Sequence, residues 1–105
     1  MLVHIDMNAN DVEEIVDEQV SEIGRALAHP VRVRILRLLA QGERCGCELE
    51  PLFAIDQSGI SRHLNALRRA GLVSPRREGV RVYWRLSDPK VRELLALLEK
   101  IGKSV

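Results

Sequence analysis

The sequence predicts a mainly α fold with a small β-hairpin: a winged helix-turn-helix carrying an added helix at each end. Three observations lead there. Apolar residues recur at helical spacing along most of the chain. The period then switches to two, with Val80, Val82, Trp84 and Leu86 alternating with Arg81, Tyr83 and Arg85. Pro30, Gly42, Gly71 and Pro89 fall between these segments, at positions where helices begin or stop.

Taken in order, Asn10 with Glu13 three residues later has the pattern of a capping box and opens the first helix. Val12, Ile15, Val16, Val20, Ile23 and Leu27 form its apolar stripe. Pro30 resets the chain, and "VRVRILRLLAQG" is a second helix closed by Gly42. A short third helix is expected over 46–54, then a turn at "AIDQ". "SGISRHLNALRRAG" reads as a fourth helix with Ile60, Leu64 and Leu67 inward. "REGV" supplies a two-residue turn, so 73–86 is a hairpin. Ser87 and Asp88 precede Pro89, and "PKVRELLALLEKIG" is the last helix, with Val91, Leu94, Leu95, Leu98 and Ile101 on one face.

At 105 residues this is the length of one domain. Its parts are a tail over 1–9, outer helices over 10–28 and 88–102, a helix-turn-helix over 46–70 and a wing over 73–86. The outer helices are amphipathic yet lie outside the helix-turn-helix. A second copy of the chain is the expected cover for their apolar faces, in a two-fold dimer.

Apolar residues make up 46% and charged residues 30%, which suits a folded chain rather than a disordered one. The net charge of +1 conceals a strong asymmetry. Residues 1–23 hold seven acids and no Lys or Arg, whereas residues 57–85 hold seven arginines and one acid, Glu78. That local excess is what a polyanion-binding surface needs, and double-stranded DNA is the expected partner. No apolar run approaches the ~20 residues of a membrane span. The N-terminus turns acidic at once and lacks a signal peptide's basic start, so a cytoplasmic location is expected.

With Ile60 inward at 100° per residue, Leu64, Leu67 and His63 share its side of the fourth helix. Ser58, Arg62, Asn65 and Arg69 face the other way, Ser61 lies on the flank, and Gln57 sits at the N-terminus. Short hydroxyls, an amide and arginines are the groups that bond base edges and phosphates in a major groove. Arg77 and Arg81 flank the hairpin turn, where arginine suits phosphate or minor-groove contact. His63, on the inner edge, is expected to be a structural hydrogen-bonding group rather than a ligand.

At "ALAHPVRVRILRLLAQGERCGCEL", "QSGISRHLNALRRAGLV" and "REGVRVYWRL" the chain resembles the ArsR/SmtB family of bacterial metal- and metalloid-responsive repressors. The resemblance covers about residues 24–101. It implies a homodimeric winged helix that binds an operator upstream of resistance or transport genes and is released by an inducing ion. Family members that sense arsenite, antimonite, cadmium or lead often carry Cys-x-Cys at the start of the third helix, the positions of Cys45 and Cys47. Arsenite sensors commonly add a third cysteine where this chain has Glu50, and cadmium and lead sensors add N-terminal cysteines that are absent here. Of the family's zinc site on the last helix, Asp88 matches the first position, but Lys90 stands where a His is wanted and no His follows. That zinc site is not expected.

Positions two apart on a regular helix diverge by about 200°. Pro51 lacks an N–H and would clash with the carbonyl of Cys47, so the third helix must start late or bend there, and Gly46 loosens the same point. The two thiols can then converge on one soft ion. Arg44 and the nearby helix N-terminus are expected to favour thiolate. Two sulfurs leave a trigonal or tetrahedral site incomplete. The completions open are a third ligand from Glu50, Glu48 or the partner subunit's His4, an arsenical already carrying one carbon substituent, or a redox switch oxidised within or between subunits. Trivalent arsenic or antimony ranks ahead of Cd(II) or Pb(II) as inducer, and DNA binding itself needs no cofactor. The alternatives are a thiol redox-sensing repressor, or one with a vestigial pair and another input. An enzyme is not expected, because neither a Cys-x-x-Cys in a βαβ context nor a Cys–His–Asn set is present.

Overall fold

A computed structural model describes residues 8–103. The elements run α1 (Ala9–Leu27), α2 (Pro30–Leu39), β1 (Arg44–Cys45), α3 (Gly46–Leu49), a 3₁₀ turn (Glu50–Leu52), α4 (Gln57–Arg69), β2 (Val73–Glu78), β3 (Arg81–Leu86) and α5 (Pro89–Lys103). The architecture is the winged helix-turn-helix, with α3 and α4 as the helix pair and β2–β3 as the wing. No helix among the described residues is long and apolar enough to cross a membrane.

The helix starts follow from local chemistry. α1 is capped two residues earlier than Asn10: Asn8 Oδ1 accepts from the Asp11 N–H at 2.9 Å, and Asp11 Oδ2 accepts from the Asn8 N–H at 3.3 Å. Asn8 and Asn10 each precede an acid by three, and the upstream choice adds helical residues to a nucleus already formed. α4 is capped by Asp56, whose Oδ1 accepts from the Gly59 N–H at 2.8 Å and from the Ser58 hydroxyl at 2.9 Å. At its far end the Gly71 N–H reaches the Arg68 carbonyl and the Leu72 N–H reaches that of Leu67, a Schellman closure. A Cβ at Gly59 would run into Ile55 Cγ2, so any larger residue there would force the Ile55 side chain to shift.

The third helix is shorter than the expected 46–54. It ends as an α-helix at Leu49 and continues as a 3₁₀ turn that places Pro51 in its first residues, where a missing N–H is tolerated. The sheet also exceeds the expected hairpin. β2 and β3 pair antiparallel from Val73↔Leu86 to Glu78↔Arg81, around a turn at Gly79–Val80. Gly79 has φ +61°, which the first turn position of a type II′ hairpin requires. On its other edge β3 accepts β1, with Arg44 opposite Trp84 and Cys45 opposite Tyr83. A two-residue strand leaves no periodicity to read.

One core unites these elements. Ile35, Leu36 and Leu39 of α2, Leu49 of α3, Ile60, Leu64 and Leu67 of α4, Trp84 of the wing, and Val91 and Leu95 of α5 are all buried in it. From α1 only Ala26 is buried. Arg92 fastens α5 to the end of α2 by donating to the Ala40 carbonyl at 2.8 and 3.1 Å.

Candidate nucleic-acid interface and cysteine pair

α4 turns Ile60, Leu64 and Leu67 inward and a polar face outward. Gln57, Ser58, Ser61, Arg62, Asn65 and Arg69 are all exposed, as are Arg77 and Arg81 on the two wing strands. Two features refine the expected set. The Ser58 hydroxyl donates to the capping Asp56, so it also serves the helix start. Asp56 is held below the usual carboxylate range, chiefly by the Gly59 N–H and then by Ser58.

The arginines of the basic segment divide by partner. Arg76 pairs with Glu43 and with Glu78 at 2.8 Å, and its guanidinium lies 4.8 Å from the Tyr83 ring centre. Hydrogen bonding to Glu43 and then Glu78 raises its pKa still further, while Glu43 is lowered first by the same bond. Arg76 therefore ties the wing to the segment before β1. Glu43 escaped notice in the sequence because its partner lies 33 positions away.

His63 is half-buried and accepts from Arg32 Nε at 3.2 Å through Nδ1, with its ring edge-on to His29 at 4.5 Å between centres. This is the structural hydrogen bonding expected of it. Burial lowers its pKa first, followed by the charges of His29, Arg32 and Arg62.

Cys45 and Cys47 are joined as a disulfide, with Cα atoms 5.1 Å apart. The convergence has a local cause. Cys45 is extended, at φ −65° and ψ 144°, so its side chain is set by β1 rather than by α3. The Cys47 N–H donates to Cys45 Sγ at 3.2 Å, and the Cys45 N–H donates to Glu48 Oε1 at 3.0 Å. Cys45 is thus the cap of a one-turn helix. Cys45 is buried and Cys47 exposed.

Some of the expected surroundings are arranged differently. The Arg44 guanidinium turns to the end of α2, bonding the Leu38 carbonyl at 3.4 Å and Gln41 Oε1 at 3.0 Å, rather than to the sulfurs. α3 has only four residues, too few for a substantial helix dipole. Glu48 is engaged at the Cys45 N–H, and no cluster of three His, Cys, Asp or Glu suited to a metal ion occurs among the described residues. His4 lies outside those residues. As thiolates, after reduction of the disulfide, two sulfurs are the donor type that a soft, thiophilic centre takes.

A cleft of about 240 Å³ opens beside the pair. Cys45, Gly46 and Cys47 form one wall, Gln57, Ile60, Ser61, Leu64 and Asn65 of α4 a second, and Val80, Arg81, Val82 and Trp84 of the wing the third. The cysteines and four of the eight candidate DNA contacts thus share one cavity. Spacing along the sequence could not reveal this, because the wing returns to the cysteines only through β1.

Residues 29–74 match the family described as bacterial regulatory protein, arsR family. The chain is 40% identical over 85 residues to an HTH-type transcriptional regulator of Mycobacterium tuberculosis, covering 81% of this chain but only 38% of that longer protein. It is 35% identical over 97 residues to a "Transcriptional repressor SmtB homolog" of Synechocystis, covering 89% of this chain and 74% of the relative. Among solved structures it resembles a homodimeric winged helix-turn-helix DNA-binding domain from Mycobacterium bovis, a possible ArsR-family regulator. The TM-score is 0.82 at 34% identity, covering 95% of this chain and 91% of the other.

Proposed function

The chain belongs to the arsR family of bacterial regulatory proteins, and on that premise we propose that it is a homodimeric repressor released from its operator when trivalent arsenic or antimony engages Cys45 and Cys47. The observation that carries the reading is the meeting of the two sulfurs in a cleft they share with α4 and the wing. Gln57, Ser61, Arg62, Asn65 and Arg69 read the major groove, with Ser58 at the helix start, and Arg77 and Arg81 hold flanking phosphates. The stripe Val12, Ile15, Val16 and Val20, with Leu97, Leu98 and Ile101 of α5, is exposed in the protomer and forms the two-fold contact.

Regulation follows from where Cys45 sits. It belongs to both the strand that edges the wing and the cap of α3, so a ligand bridging Cys45 and Cys47 alters α3 and the wing together. A coupling of about 1–3 kcal/mol weakens operator binding roughly 5–150-fold. The disulfide favours a second reading, in which oxidation rather than a metalloid closes the pair.

One titration separates them. Phosphine-reduced protein on labelled DNA from upstream of its own gene is challenged with As(III), Sb(III), Cd(II), Pb(II), Zn(II) and peroxide while anisotropy is followed. Release by As(III) or Sb(III), lost in Cys45→Ser/Cys47→Ser, supports the first reading. Release by peroxide alone supports the second. Release that persists in the double variant excludes both.

A further inference from the structure

The wing occupies one flank of α4 and leaves the other to a second groove. At 100° per residue, Gln57 and Ser61 lie about 60° and 100° from Ile60, on the side that borders the wing. Ala66 and Ala70 lie about 240° and 280° from it, on the opposite side. There α4 meets the end of α1 and the start of α2 around a groove of about 210 Å³, several times the ~30 Å³ that a water takes up in the liquid. Three arginines from three helices line it, Arg25, Arg32 and Arg69, against one acid, Glu22. Ala26, Ala66 and Ala70 give it a floor of small side chains.

These arginines are placed for an acceptor from outside the chain. Arg69 bonds none of the described residues. Arg32 commits only Nε, to His63 Nδ1 at 3.2 Å, and its two terminal nitrogens bond none of the described residues. His29, edge-on to the His63 ring, holds that ring in place. Arg25 pairs with Glu22 at 2.9 Å, an exposed contact three residues apart that is worth little against a phosphate. Continuity names the occupant, because Arg69 belongs both to this groove and to the face assigned to the major groove. A helix lying in that groove, about 12 Å wide, has a sugar-phosphate backbone on each side. Arg77 and Arg81 of the wing serve one of them.

We propose that the groove between α1, α2 and α4 is a phosphate seat for the DNA strand opposite the one the wing holds. Arg25, Arg32 and Arg69 grip the phosphate, and His63 is the positioning residue that aims Arg32 at it. The inference rests on the reading of α4 as the helix in the major groove. Each half-site is then clamped on both strands, and the sequence-reading side chains are registered between two fixed backbones.

The test uses full-length, phosphine-reduced protein on the duplex it protects upstream of its own gene. The slope of log K against log salt changes by about 0.9 for each phosphate contact. Arg32→Gln is expected to flatten that slope by about 1.8 for a two-fold dimer, and to keep the preference for this duplex over a scrambled one. His63→Asn, whose amide oxygen replaces Nδ1 as acceptor, is expected to keep the wild-type slope, whereas His63→Leu is expected to flatten it. Methylphosphonate linkages placed singly in each strand then locate the seat. Sensitive phosphates are expected on both strands beside α4, one set silenced by Arg32→Gln and the other by Arg77→Gln/Arg81→Gln. A wild-type slope in Arg32→Gln overturns the proposal, as does sensitivity confined to the phosphates of the wing arginines. A wild-type slope in His63→Leu overturns the positioning role. The methylphosphonate scan of the wild-type protein decides the matter alone where a variant does not fold. Asn65→Ala separates this inference from the reading beneath it. If Asn65→Ala loses the preference over scrambled DNA while Arg32→Gln keeps its slope, the seat alone is wrong. If Asn65→Ala changes nothing and no phosphate beside α4 is sensitive, both are wrong.

Discussion

α1 and α4 are both capped amphipathic helices, and they meet opposite fates. The stripe of α4 is sealed within its own chain, with Ile60 at 2%, Leu64 at 2% and Leu67 at 0% exposure. The stripe of α1 lies open, with Val12 at 48%, Val16 at 49% and Val20 at 61%. Periodicity states that a helix has a face to bury, but not where the cover comes from. For α4 the cover is α2, α3 and the wing. For α1 we assign it to a second protomer, joined by the open positions of α5.

The largest effect that would break this contrast lies in α4. Leu67→Ala should destabilise the fold by about 2–5 kcal/mol through lost burial and the cavity left behind. The loss should be visible in thermal unfolding and independent of protein concentration. Val20→Glu should do the reverse: a modest change in protomer stability, but loss of the dimer in sedimentation, with DNA binding falling through the lost second half-site. If Val20→Glu unfolds the protomer as severely as Leu67→Ala, α1 belongs to the inner core and the contrast is wrong.

Cap removal sharpens the comparison on a smaller scale. Asp56→Ala should lower the melting temperature more than Asn8→Ala, because α4 is locked into the core at both ends and α1 is not. Asp56 also predicts a pH dependence. Its folded pKa is depressed, so its stabilisation is complete above the unfolded value near 3.9 and is lost as pH falls through the folded value. Asp56→Asn should flatten that acid limb.

The smallest effect concerns His63. Its folded pKa lies below the ordinary 6.5, so the unfolded chain binds the proton more readily. Stability should be greatest above about pH 6.5 and decline as pH drops toward the folded value. His63→Gln should remove that slope while keeping an acceptor for Arg32. An unchanged slope would place the proton on another group.

These contrasts also mark what the sequence could convey. α4, its inward face and the hairpin turn follow from spacing, since each depends on neighbours three, four or two residues apart. That the α-helix cannot run on through Pro51 is legible for the same reason, as a local clash. The start of α1 is not, because Asn8 and Asn10 offer the same motif two residues apart. β1, the Glu43–Arg76 tie and the cleft depend on residues more than thirty positions apart and leave no periodic trace. Arg44 shows the hazard of arguing from adjacency: it neighbours Cys45 in the chain, yet its guanidinium serves the end of α2.

Under the proposed function Cys45 and Cys47, which share a cleft with four side chains assigned to DNA, govern operator affinity. The most direct measurement is the dissociation constant for DNA upstream of the gene, at fixed salt, for phosphine-reduced wild type and Cys45→Ser/Cys47→Ser, each with and without one equivalent of arsenite per chain. Equal affinities are expected without arsenite, and with it a roughly 5–150-fold weakening in the wild type alone. Equal weakening of both proteins, or of neither, would contradict it.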